Sequence, residues 1–221
     1  MKRYLLVNVL AYLAFAVLIA CLHGCGGGAG ANPFVQAASC TPKVVTVALL
    51  GDSTQFGYDG TDGTQAANQP GAALQRAMDA QFGAGAVVVT NYGVKGSYSG
   101  QAPSITADVK VANYGINDMR MSGATVAGFS QRMSALDLTL VETQSPLVDR
   151  TWPEADYVAA SKALGVPVAD VNAYVLSLPN WQAMVPDGIH PNNALYGLIV
   201  TNVLAPAVAR QVASLRCEAQ S

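Results

Sequence analysis

The sequence predicts an α/β fold built on a mainly parallel, five-stranded sheet. Three observations predict it. Short β-branched runs alternate with segments of helical periodicity. The runs are continuously apolar rather than alternating, as in strands covered on both faces. Several of them lead into polar, Gly-containing turns, which in open α/β sheets lie beyond the carboxyl ends of the strands.

Val44-Val45-Thr46-Val47-Ala48-Leu49-Leu50 is the first strand, ending at Gly51. Residues 71–82 follow as a helix, with Ala73, Leu74, Ala77, Met78 and Phe82 at helical spacing. Ala86-Val87-Val88-Val89-Thr90 and Val109-Lys110-Val111-Ala112-Asn113 are the second and third strands. Residues 122–136 read as a helix with Ser122 as its cap. The fourth strand is Leu138-Thr139-Leu140-Val141-Glu142. A helix over 153–164 opens with Pro153, which suits a first turn. Val166-Pro167-Val168-Ala169-Asp170-Val171 is the fifth strand. Residues 192–215 form a long apolar terminal segment that Pro206 is expected to break or kink. Parallel strands joined through helices imply right-handed crossovers.

The chain has 221 residues, 51% hydrophobic and 12% charged, enough for one domain with one large core. Residues 1–24 read as an export signal: Met1-Lys2-Arg3 is basic, and the following run is apolar except for Asn8. Leu18-Ile19-Ala20-Cys21 resembles a bacterial lipobox, and Leu22-His23-Gly24-Cys25 is a second, poorer match. Cleavage before Cys21 or Cys25 stays open, as does ordinary cleavage and free secretion. Residues 25–39 begin with Gly26-Gly27-Gly28-Ala29-Gly30, a flexible tether, and residues 40–221 form the domain. The expected location is the periplasm or outer membrane as a lipoprotein, or the medium; any membrane contact is through the lipid anchor alone.

Cys40 and Cys217 flank the domain in a chain read as exported, where disulfides persist. A Cys40–Cys217 bridge would contribute roughly 3–5 kcal/mol in the chain-entropy model; two free thiols are the alternative. Without Lys2 and Arg3 the chain has 10 basic and 14 acidic residues, and no basic cluster, which argues against nucleic acid as a partner. No zinc set, P-loop or dinucleotide fingerprint is present, so neither metal nor cofactor is expected. Asp59-Gly60-Thr61-Asp62-Gly63 lacks the spacing of a calcium loop and reads as a solvated turn at the site's rim.

His190, in Asp187-Gly188-Ile189-His190-Pro191, is the one histidine outside the leader. Imidazole is the side chain best suited to general-base work near neutrality. Ser53 in Gly51-Asp52-Ser53 is the candidate nucleophile at the end of the first strand. His190 would take its proton, and Asp187 would orient the ring. The Ser53 and Gly96 amides and the Asn117 side chain are candidate donors to an oxyanion. Arg120 is expected to pair with Asp118, with contact to a polar substrate as the alternative. Trp152, Tyr174 and Trp181 form a minor candidate for a sugar-stacking surface.

These blocks carry a resemblance. Gly51-Asp52-Ser53, Asn91-x-Gly93-x-x-Gly96, Gly115-x-Asn117-Asp118 and Asp187-x-x-His190-Pro191 resemble, in order, the four motif blocks of the SGNH hydrolase (GDSL esterase and lipase) superfamily. Pro146, after Glu142-Thr143-Gln144-Ser145, resembles a strand-end segment lining that family's cleft. Thr54 departs from the usual Leu of the first block, and Lys95 is unusual before Gly96. The resemblance implies a three-layer α/β/α sandwich and cofactor-free hydrolysis of small-molecule or polysaccharide-linked esters. It makes Ser53, His190 and Asp187 catalytic, and Ser53, Gly96 and Asn117 the oxyanion hole. The absence of Gly-x-Ser-x-Gly argues against the ordinary α/β-hydrolase elbow. Transfer of an acyl group to a cell-envelope glycan and a non-catalytic envelope-binding module are the alternatives.

Overall fold

The computed structural model describes residues 43–149 and 151–216. The leader, the tether, Cys40 and Cys217 lie outside the described residues. Five strands form one sheet: β1 (Val45–Gly51), β2 (Val87–Gly93), β3 (Val109–Asn113), β4 (Leu140–Glu142) and β5 (Val168–Ala169). All neighbours are parallel, in the order β2-β1-β3-β4-β5. All five expected strands are present. The last two are shorter than expected: β5 is bounded by Pro167, which has no N–H for a ladder, and by Asp170, whose carboxylate caps the next helix.

The helices are α1 (Ser53–Phe56), α2 (Pro70–Phe82), α3 (Ile116–Arg120), α4 (Val126–Ser134), α5 (Glu154–Lys162), α6 (Val171–Ser177), α7 (Asn193–Ile199) and α8 (Ala205–Leu215). One face of the sheet (Val45, Val47, Leu49, Val109, Val111) packs on Leu74 and Met78 of α2 and on Leu204, Val208 and Val212 of the terminal segment. The other (Leu50, Ala112, Val141) packs on Phe129 and Met133 of α4 and on Tyr157 and Ala160 of α5. The fold is a three-layer α/β/α sandwich. Coverage of both faces fails only partly, at β2: as the edge strand it leaves Val88 45% exposed.

Two helix boundaries differ from expectation. Thr125, not Ser122, caps α4, its side chain accepting from the Gly128 N–H at 3.1 Å; Gly123 at φ +72° turns the chain between them. Pro206 does not end the terminal segment. The preceding turn, Val200–Leu204, widens to a π-helix. Proline lacks an amide hydrogen and crowds the carbonyl four residues back, and a wider turn relieves both. α1, α3 and α6 carry too few residues for a periodic signal and had not been expected.

At the carboxyl end of β4, Glu142 is 2% exposed. Burial pushes its carboxyl up to about 8, against a hydrogen bond from Asn113 that pulls it down. The folded state therefore binds one proton more than the unfolded chain between the ordinary glutamate value and about pH 8. Stability contributed by the protonated group is complete at low pH and is lost as pH rises through that window. Glu142→Gln should remove this loss. In urea titrations from pH 5 to pH 8, the variant's stability advantage should grow with pH; parallel profiles would contradict the assignment.

Candidate active site

The chain leaves β1 toward β2 on one side of the sheet, and β3 lies on the other. β1 therefore ends at a switch point, where an open sheet forms a crevice. There the strand turns directly into α1. Asp52 is the N-cap, and its Oδ1 accepts from the Thr54 N–H and the Thr54 hydroxyl, both at 2.8 Å. Thr54, the departure noted in the first block, thus adds a bond that leucine would not make. Ser53 is the first residue of the helix, so its amide has no intrahelical acceptor.

Two glycines make the junction possible. A Cβ on Gly93 would lie 2.3 Å from the Phe56 nitrogen, so only glycine lets the end of β2 lie against α1. Gly96 sits at φ +75° with nothing within 4 Å of a would-be Cβ; its requirement is conformational. Asn91 supports the same turn, donating to the Gln55 carbonyl at 2.7 Å and accepting from the Gly93 N–H at 2.9 Å.

His190 approaches from the loop before α7. Its Nε2 is 2.8 Å from Ser53 Oγ, and its Nδ1 is 2.6 Å from Asp187 Oδ2. Asp187 Oδ1 accepts from the Ile189 N–H at 2.9 Å and the His190 N–H at 2.7 Å. Partial burial raises this carboxyl, but those amides and the imidazole outweigh it and hold it below the usual aspartate range. An acceptor on Nδ1 fixes the tautomer with a bare Nε2 facing Ser53. The arrangement can therefore abstract a proton from the hydroxyl and stabilise the imidazolium that results.

Ser53, Gly96, Asn117 and His190 line one cavity of about 210 Å³ with Tyr58 and Ile116. Asn117 Nδ2 donates to the Ser97 carbonyl at 2.8 Å, leaving its second hydrogen for a ligand. Ser97 is itself anchored, its hydroxyl donating to the Gly51 carbonyl at 3.0 Å. The four sequence blocks thus meet at one place.

Asp118 does not pair with Arg120. Residues two apart on a helix point away from each other. Asp118, fully buried, instead takes Arg132 Nη2 at 2.8 Å and the Ser99 N–H at 3.0 Å, and the Ser99 hydroxyl donates to it at 2.5 Å. Arg120 lies over the Trp152 ring at 5.6 Å. The three aromatic residues are placed differently: Trp181 is buried, the Tyr174 hydroxyl accepts from Asn202, and Trp152 lines a cavity beside the site. Lys95 is exposed, yet lies over the rings of Phe56 and Tyr58. The Asp59 loop is tied to the His190 loop: Asp59 accepts from Asn193 at 2.9 Å, and a Cβ on Gly60 would lie 2.5 Å from the His190 carbonyl.

Tyr58, whose ring centroid is 4.5 Å from that of His190, went unnoticed in the sequence. So did Glu154, which holds the segment after β4 by accepting from the Leu147 N–H at 3.0 Å and the Asn172 amide at 2.6 Å. Neither belongs to a motif block; Tyr58's place just after α1, which carries Ser53, was the available signal.

No protein-family model and no curated relative matches the sequence. Solved structures do match by fold. A lipase/acylhydrolase from Enterococcus faecalis is 20% identical with a TM-score of 0.62, covering 80% of this chain and 99% of its own. A carbohydrate acetylesterase family member from Sinorhizobium meliloti is 19% identical with a TM-score of 0.56, covering 76% and 99%. The acetylxylan esterase Axe2 from Geobacillus stearothermophilus is 15% identical with a TM-score of 0.56, covering 81% and 99%. These likenesses show the fold alone, an α/β/α sandwich shared with acylhydrolase and acetylesterase structures.

Breaking the Asp118 cluster should cost far more than removing Arg120. We expect Asp118→Ala to lose about 2–3 kcal/mol, the scale for removing a buried charged acceptor and leaving its donors unsatisfied. Arg120→Ala should lose about 1 kcal/mol or less, as for an exposed cation–π contact. Denaturant midpoints of the two variants check the order; equal losses would contradict it.

Proposed function

We propose that the chain is a serine esterase that hydrolyses carboxylic esters, using Ser53 as nucleophile. The single observation that carries the reading is the hydrogen-bonded series from Ser53 Oγ through His190 to Asp187 Oδ2, at 2.8 and 2.6 Å. His190 Nε2 takes the hydroxyl proton as Ser53 Oγ attacks the ester carbonyl. The Ser53 and Gly96 amides and Asn117 Nδ2 donate to the oxyanion. Collapse returns the proton from His190 to the leaving alkoxide and leaves an acyl-serine. Water, activated by the same imidazole, then attacks the acyl-serine, releasing the acid and regenerating Ser53. No cofactor is called for.

A cavity of about 210 Å³ at Ser53 favours short acyl groups. The esterase and acylhydrolase names of the structural neighbours agree with the reading. We further propose that the protein is exported, as a lipoprotein or freely secreted, because of its leader.

Hydrolysis of 4-nitrophenyl acetate tests the assignment. Ser53→Ala and His190→Ala should each lower kcat/KM by about 10⁴-fold or more with the fold intact by circular dichroism. Asp187→Asn should lose on the order of 10²–10⁴-fold, and Asn117→Ala about 10²–10³-fold. Substantial turnover by either Ser53→Ala or His190→Ala would overturn the mechanism.

A further inference from the structure

The chain is poor in cations, with 12 Lys and Arg among 221 residues. Yet two of them, Lys95 and Arg120, line the small cavity that holds Ser53 and His190. Other basic side chains are spent on carboxylates: Lys110 on Asp137, Arg132 on Asp118 and Lys162 on Asp170. Lys95 and Arg120 make no ion pair among the described residues.

Aromatic faces hold them instead. Lys95 Nζ lies 4.6 Å from the ring centre of Tyr58 and 4.9 Å from that of Phe56. The Arg120 guanidinium lies 5.6 Å from that of Trp152. A ring positions a cation and lowers its entropy without neutralising it. Asp149 shares an adjoining cavity of about 180 Å³ with Arg120, but makes no ion pair with it and accepts from the Thr151 amide at 3.0 Å. Asp187 is engaged by His190 and by the amides of its own loop.

The two charges sit on separate elements, Lys95 in the turn after β2 and Arg120 at the end of α3. Lys95 immediately precedes Gly96, and Arg120 comes three residues after Asn117. Each element supplies a candidate oxyanion donor, and all four residues line the same cavity, so a ligand bonded to those donors there has both cations around it. Concave sites of one sign concentrate the opposite charge, and a guanidinium binds carboxylate in a planar fork.

We propose that Lys95 and Arg120 select esters that carry a carboxylate close to the scissile bond. The substrate class is then an anionic ester: an acylated acidic glycan where the charge lies on the alcohol, or a dicarboxylic half-ester where it lies on the acyl group. This rests on the esterase reading of the same site.

Two substrate pairs test it. 4-Acetoxybenzoate against 4-acetoxybenzamide places the charge on the alcohol side. 4-Nitrophenyl monoadipate against 4-nitrophenyl hexanoate places it on the acyl side. In at least one pair the charged ester should have a kcat/KM about tenfold higher at low salt. That ratio should fall severalfold at about 0.5 M NaCl, where exposed charges are screened. It should approach one in Lys95→Met or Arg120→Met; because a ratio is read, a smaller folded fraction in a variant cancels. Ratios at or below one in both pairs would overturn the proposal. If the wild type hydrolyses none of the four esters, the esterase reading fails and binding decides the charge reading. Ser53→Ala protein should then bind 4-acetoxybenzoate about tenfold more tightly than 4-acetoxybenzamide by calorimetry, and equal affinities would overturn it.

Discussion

The contact between the end of β2 and the helix that follows β1 sets the geometry of everything at the site. Gly93 touches the backbone of Gln55 and Phe56 so closely that even a methyl group would overlap it. That contact fixes the angle at which α1 leaves β1, and therefore where Ser53 points. Asp52 secures the same turn by capping the helix from a position that is 1% exposed. The neighbouring loops then build outward from β1: Val94 donates to the Gly51 carbonyl, as does the Ser97 hydroxyl, and the Ser97 carbonyl holds Asn117. Ser53 and the candidate oxyanion donors are positioned by one connected set of short bonds.

That set has an electrostatic cost beneath it. Asp52 is fully buried, and desolvation pushes its carboxyl up to about 6 despite the two bonds from Thr54. Glu142 is raised further, again chiefly by burial and in part by the charge of Asp52. Such groups lose stability as pH rises, the opposite of Asp187, whose ionised form is favoured and whose contribution fades in acid. The floor of the site is thus held by carboxyls that resist ionisation, while the carboxylate against the imidazole stays charged. Two environments set the same chemical group to different tasks.

Much of this was legible in the sequence because it rests on short-range patterns. β-Branched runs such as 44–50 mark strands whatever surrounds them, and the residues after each run fall where an open sheet gathers its ligands. The blocks around Ser53, Gly96 and Asn117 were readable for that reason; His190 stood out instead as the one histidine outside the leader, and the family resemblance joined the four blocks. Partners chosen across the fold were not. Asp118 takes Arg132 from α4 rather than its near neighbour Arg120, a choice that depends on which face of α3 each residue occupies. Glu154 and Asn172 meet behind the loop after β4 although 18 positions separate them. The π-helical turn before Pro206 is a packing solution: the segment stays on the sheet, with Leu204 and Val208 buried, instead of breaking as proline alone would suggest.

The central claim is that Ser53 is the residue His190 activates. Labelling of the folded protein with a fluorophosphonate, followed by peptide mapping by mass spectrometry, tests it most directly. The account predicts a single adduct on Ser53 in the wild type and almost none in His190→Ala. No adduct, an adduct on another residue, or equal labelling without His190 would contradict it.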